Sequence, residues 1–218
     1  MTELHCDEGE SLLGEAKVSP DNFVMEFDVD YLGEPRPTSL DGCFCKGYRV
    51  AIECKFTEAE IGTCSRPRLN RTSSKYERDH CDGSYSRKGA RRERCPLSEI
   101  GVLYWRYIPS LFKWGSDLDL IPCPLHRNYQ LVRNILAVGV NAEGEVSSEN
   151  GHVVLIYDQR NPAFQEKGDG LRAYWYTRGA LMDPRMLRRC SWQRIIQHIR
   201  QNGLLPWLPE QLALKYGM

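Results

Sequence analysis

From Asn22 to Asp30 apolar residues alternate with acidic ones, a period of two that predicts a strand with one wet face. Gly33-Glu34-Pro35-Arg36-Pro37 breaks it. Two further runs, 38–45 and 48–56, read as strands joined at Lys46-Gly47, where glycine supplies the positive φ of a tight hairpin. Together the three runs make a meander. Helical spacing takes over at Tyr129–Val138, with Leu131, Val132, Ile135, Leu136 and Val138 as a broad apolar stripe. Gln130, Arg133, Asn134 and Ala137 line the other face, and Asn128 is placed as an N-cap. His152–Tyr157 is a nearly continuous apolar run, as expected of a strand buried on both faces. A right-handed crossover through the helix sets this fourth strand parallel to the third. Glu8–Lys17 predicts a short helix, weakened by Gly9 and Gly14. Met186–Ile199 reads as an amphipathic basic helix and Pro209–Tyr216 as a second short one. No internal repeat is visible.

Residues 57–127 interrupt this order with Gly, Ser, Pro, Arg and four cysteines around an aromatic island, Leu103-Tyr104-Trp105-Arg106-Tyr107-Ile108. So long an irregular stretch implies either a function or a small fold of its own. The island could stack on bases or pack against the sheet. At 218 residues the chain suits a single domain, 1–218, with 57–127 inserted in it. Its 41% apolar and 27% charged content argues against wholesale disorder. The apolar stretches are far too short to span a membrane, so no membrane partner is expected. The acidic start lacks the basic and apolar parts of a signal peptide, which places the chain in the cytoplasm.

A net charge of zero hides a strong asymmetry. Between Arg66 and Arg94 ten basic residues face four acidic ones, while acids dominate from Glu3 to Glu34. A second basic group, Arg172 to Arg200, lies in the last quarter. Such segregation suits a phosphate-binding face, with Arg66, Arg68, Arg71, Arg91, Arg92, Arg94 and Arg133 as contacts to nucleic acid. It also suits a solvated loop and a charged helix face. Nine cysteines in a reducing compartment suggest metal binding over disulfides. Cys64, Cys81, Cys95 and Cys123 could close a structural Zn²⁺ site that stabilises the insertion, or be scattered thiols.

The chemistry concentrates where two runs end. Asp41 belongs to one strand and Glu53-Cys54-Lys55 to the next, with Glu53 and Lys55 on a common face. Two carboxylates and a lysine converging on one spot can hold a divalent metal and a water. Leu40-Asp41-Gly42 and Ile52-Glu53-Cys54-Lys55 resemble the two acidic motifs of the PD-(D/E)XK nuclease superfamily, with Leu40 in place of the name-giving proline. Tyr129-Gln130-Leu131 is similar to its glutamine-bearing motif. The match covers residues 8–56 and 129–158.

This resemblance implies an α/β fold: a restriction-endonuclease-like αβββαβ core with a mixed central sheet and the long Cys/Arg-rich insertion after the third strand. It also implies a metal-dependent endonuclease, a hydrolase of phosphodiester bonds, acting on DNA. Asp41, Glu53, Lys55 and Gln130 would form the catalytic set. Asp41 and Glu53 would bind Mg²⁺ or Mn²⁺, with Glu10 or Glu15 as the first-helix carboxylate. A homodimer is a separate expectation. The alternative is a non-catalytic, zinc-stabilised nucleic-acid-binding module.

Overall fold

Each of the first three apolar runs becomes a strand: β1 (Phe23–Val29), β2 (Thr38–Phe44) and β3 (Arg49–Lys55). The structure is a computed structural model that describes residues 3–65, 95–114 and 123–217. Strands β1, β2 and β3 pair antiparallel in sequence order, and Gly47 turns the second hairpin with φ 71°. The aromatic island forms helix α1 (Tyr104–Leu111) and the apolar stripe forms α2 (Leu125–Gly139). Strand β4 (Gly151–Tyr157) then lies parallel to β3, with Glu53 beside Leu155 and Lys55 beside Tyr157. A fifth strand, β5 (Leu187–Ser191), extends the parallel half, so the mixed sheet runs β1-β2-β3-β4-β5. Helices α3 (Asp169–Ala180), α4 (Trp192–Gln201) and α5 (Trp207–Tyr216) lie in the last quarter, and a four-residue helix spans Pro96–Glu99. Among the described residues no helix is long and apolar enough to cross a membrane.

Two cores flank the sheet. On one face the α2 stripe (Leu131, Val132, Ile135, Leu136, Val138) packs on Ala51, Val153 and Leu155, and α1 adds Tyr104, Tyr107, Ile108 and Leu111. The island therefore packs, rather than presenting its rings to a ligand. On the other face Val50, Val154, Ile156 and Cys190 are covered by Cys6 and Leu12 of the N-terminal segment and by Trp192 and Ile195 of α4. Residues such as Leu131 and Ile135 are fully buried, each contributing roughly 1.5–3 kcal/mol of apolar transfer.

Four local expectations change. Glu8–Lys17 is not helical, because Gly9 (φ 93°) and Gly14 (φ 55°) take left-handed conformations that interrupt the helical path. Asn128 does not cap α2. It sits at a kink inside the helix (φ −118°, ψ 17°) and its Nδ2 donates to the Pro124 carbonyl at 2.8 Å. Met186–Ile199 divides into β5 and α4 at Ser191, whose side chain accepts the Arg194 N–H at 3.1 Å as an N-cap. Arg188 and Arg189, solvent-facing on a helical reading, are instead largely buried strand residues with partners. Finally, α3 arises where periodicity predicts nothing. It buries only Gly170, Tyr174 and Thr177, too few apolar positions to mark a stripe.

Candidate active site

The site begins with a fault in the sheet. Pairing between β2 and β3 runs from Phe44–Val50 through Cys43–Ala51 to Gly42–Ile52, and ends there. Opposite Asp41 on β1, Glu26 adopts φ 48°, a left-handed conformation that is costly without glycine. The two strands exchange faces at this point. Phe23 and Phe44 pack into one core, whereas Phe27, Leu40 and Cys43 pack into the other. Asp41 is thereby turned out to solvent where β3 leaves β2. Its Oδ2 accepts the Cys54 N–H at 2.7 Å, in place of a ladder bond on that side. Among the described residues its Oδ1 accepts none.

Glu53 and Lys55 face the polar side of α2 and are 1% and 8% exposed. Lys55 Nζ lies 2.8 Å from Glu53 Oε1 and donates to Gln130 Oε1 at 3.2 Å. Gln130 Nε2 donates to Glu53 Oε1 at 2.6 Å, so one amide bridges acid and base. Asn134, one turn further along α2, donates to Glu53 Oε2 at 2.8 Å. These donors offset the cost of burying a carboxylate. Burial nonetheless raises the Glu53 pKa, against the Lys55 charge, and the negative charge of Asp41 pushes it the same way.

The surroundings hold this arrangement. Gly62 (φ 134°) lies so close to Gln130 that a Cβ there would collide with the amide, and its carbonyl accepts the Gln130 N–H at 3.4 Å. Beyond Lys55, Asn161 Nδ2 donates to the carbonyls of Phe56 at 3.2 Å and Glu58 at 2.9 Å. The Lys55 carbonyl accepts the Asp158 N–H at 3.1 Å.

Asp41, Glu53, Lys55 and Gln130 thus meet at one end of the β2–β3 pair. Other predicted site residues do not join them. Glu10 pairs with Arg178 at 2.9 Å and accepts the Cys6 thiol at 3.3 Å, while Glu15 is exposed on the same N-terminal segment. Arg133 is half-buried, its guanidinium 5.9 Å over the Tyr129 ring. Cys64, Cys95 and Cys123 pack against the α2 core. Cys81, Arg66, Arg68, Arg71, Arg91, Arg92 and Arg94 lie outside the described residues. Among the described residues, the three-membered Cys/His/Asp/Glu group with donor atoms within 4.8 Å is Cys6, Glu8 and Glu10. Asn134, Gly62 and Asn161 are supports that sequence reasoning missed. For Asn134 the signal was its spacing of four from Gln130 on the polar face.

The chemistry of the donor set fits a hard cation. Both carboxylates and the neighbouring Cys54 carbonyl are oxygen donors. The Lys55 ammonium pairs with Glu53, and the negative charge of Asp41 disfavours ionisation of Glu53. Asn134 Oδ1 is fully buried and meets no donor among the described residues, an orphaned acceptor beside Glu53.

No curated protein and no solved structure matches the chain. The profile of one family, "Restriction Endonuclease associating with ARP", matches residues 13–217, which include every residue of the convergent set. The chain belongs to this restriction-endonuclease-like family.

Proposed function

We propose that the chain is a metal-dependent nuclease of PD-(D/E)XK type that hydrolyses phosphodiester bonds in DNA. The convergence of Asp41, Glu53, Lys55 and Gln130 at the strand fault carries this reading. Asp41 and Glu53 would hold Mg²⁺ or Mn²⁺, with the Cys54 carbonyl beside them. When bound, the ion lowers the pKa of a water and neutralises charge on the phosphate. Lys55, its ammonium fixed by Glu53 and Gln130, orients the attacking water and stabilises negative charge on the phosphoryl oxygens. Gln130 and Asn134 are positioning residues, since each acts through Glu53 or Lys55. The basic stretch 66–94 supplies contacts to the DNA backbone. The family description also names an association with ARP, which we carry over to this chain as a partner.

Supercoiled and linear DNA incubated with the protein and Mg²⁺ or Mn²⁺ should be cut, and a chelator should stop the reaction. Asp41→Asn keeps an oxygen for the Cys54 N–H but loses the charge. It should lower cleavage by at least about 100-fold with an unchanged melting temperature, as should Lys55→Ala for cleavage. Equal cleavage by wild type and both variants would overturn the assignment. Binding with no cleavage under any divalent metal would favour a non-catalytic nucleic-acid-binding module.

A further inference from the structure

A cleft of about 740 Å³ shares a wall with the site. Ile61 and Thr63 line it, and Gly62 between them is the residue pressed against Gln130. Asn128 in its floor lies two residues before Gln130. The opposite wall is α3. The volume falls in the range of small-molecule sites, which run from roughly 300 to 1,000 Å³.

The lining is that of a stacking platform. Tyr176 is 52% exposed, and its ring stacks on Trp114, with centroids 5.9 Å apart and planes 26° apart. Trp114 stacks in turn on the fully buried Phe112, at 4.6 Å and 5°. Three rings thus form a column rooted in the core that ends at the cleft. Around it, Arg127 and Arg172 are balanced by Glu60 and Asp169, and Arg172 is paired with Asp169. A cleft of balanced charge does not select a free phosphate or a metal ion. It suits a flat, neutral, polar-edged ring.

We propose that this cleft receives one nucleobase of the nucleic-acid substrate, unstacked from its neighbours and laid on Tyr176. The assignment rests on the nuclease reading for its substrate, and the shared wall at Gly62 links it to the cutting site. The base extends the column by one ring, and Arg127 at the rim takes the phosphate of the same nucleotide. Unpaired or easily unpaired positions near the cut are therefore preferred substrates.

The test uses the full chain in chelator, so that binding is read without cleavage. Two oligonucleotides of equal length are compared, one of deoxyadenosine and one abasic throughout, at the same salt. Wild type should bind the adenine strand about tenfold more tightly, since both strands carry the same phosphates. Tyr176→Ala should lose that preference and Tyr176→Phe should keep it, which separates stacking from damage to the fold. Failure of wild type to bind, equal binding of the two strands by wild type, or a preference retained by Tyr176→Ala overturns the proposal. If the preference follows Tyr176 but no metal supports cleavage, the cleft stands and the nuclease reading falls. If cleavage occurs while Tyr176→Ala keeps its preference, the cleft alone falls.

Discussion

Two regions of the molecule bury acids beside cations, and they differ in balance. In the N-terminal segment Asp7, Glu8 and Glu10 meet Arg178, Arg189 and Arg194 at distances from 2.9 to 3.5 Å. Tyr157 and Tyr174 add hydroxyl donors to Asp7 and Glu8, both at 2.7 Å. Arg189 is further enclosed by the rings of Tyr157, Tyr174 and Trp175 at 5.7, 5.2 and 5.0 Å. Each of these three acids has an arginine, so the segment is a latch that ties the start of the chain to β5, α3 and α4. At the strand fault Glu53 has Lys55 and two neutral amides, while among the described residues Asp41 meets the Cys54 N–H and no cation. The Cys6, Glu8 and Glu10 donor atoms lie as close together as those of a metal site. Proximity of acids therefore does not identify a site here. An uncompensated charge does.

The comparison can be broken by variants that should act on one region only. Arg189→Ala removes the arginine of Glu8 in a largely buried place, leaving Asp7 with Arg194, and should cost about 3 kcal/mol of stability in urea unfolding. Cleavage per folded molecule should stay at the wild-type value. A parallel loss of cleavage would mean that the latch and the site are one unit. Gly62→Ala should act in the opposite sense. It strains a position at φ 134°, at a cost of roughly 1–3 kcal/mol, and drives a methyl group into the Gln130 amide. Its loss of kcat should exceed what the unfolded fraction explains.

The smallest effect is in the pH dependence. Burial raises the Glu53 pKa, so the folded chain holds that proton more tightly than the unfolded chain. The contribution is full below the ordinary glutamate range and is lost as pH rises through the folded value. Asp158 runs the other way. The Arg160 guanidinium holds its pKa down to about 2, and its contribution is lost as pH falls from the ordinary aspartate value. Melting temperatures across this range should show the Glu53 component flattened in Glu53→Gln and intact in Arg189→Ala. An unchanged profile in Glu53→Gln would remove burial of that carboxylate as the cause.

Much of the architecture is legible in the sequence because it rests on short periods. The alternating runs that become β1 to β3, the stripe Leu131–Val138 and the glycine of the hairpin each carry their own signal. Asp41, Glu53, Lys55 and Gln130 are legible because alternation along neighbouring strands and helical spacing fix which faces they share. The rest depends on meetings that no local pattern encodes. Asn134, Gly62 and Asn161 acquire roles only when distant segments close on them. Strand β5 hides because its two arginines are buried by partners from the N-terminal segment, the opposite of what charge implies. Glu10 looks available in one dimension, yet in the folded chain it belongs to the latch.

The bonds that set the site span 75 residues from Lys55 to Gln130 and 81 from Glu53 to Asn134. A chain leaving the ribosome therefore presents both acids and the lysine long before the amides that hold them. Contacts so far apart in sequence close late, after the entropy of the intervening segment has been overcome. Competence to cut would then arrive with the emergence of α2, and a fragment ending before that helix would carry the motif without the enzyme.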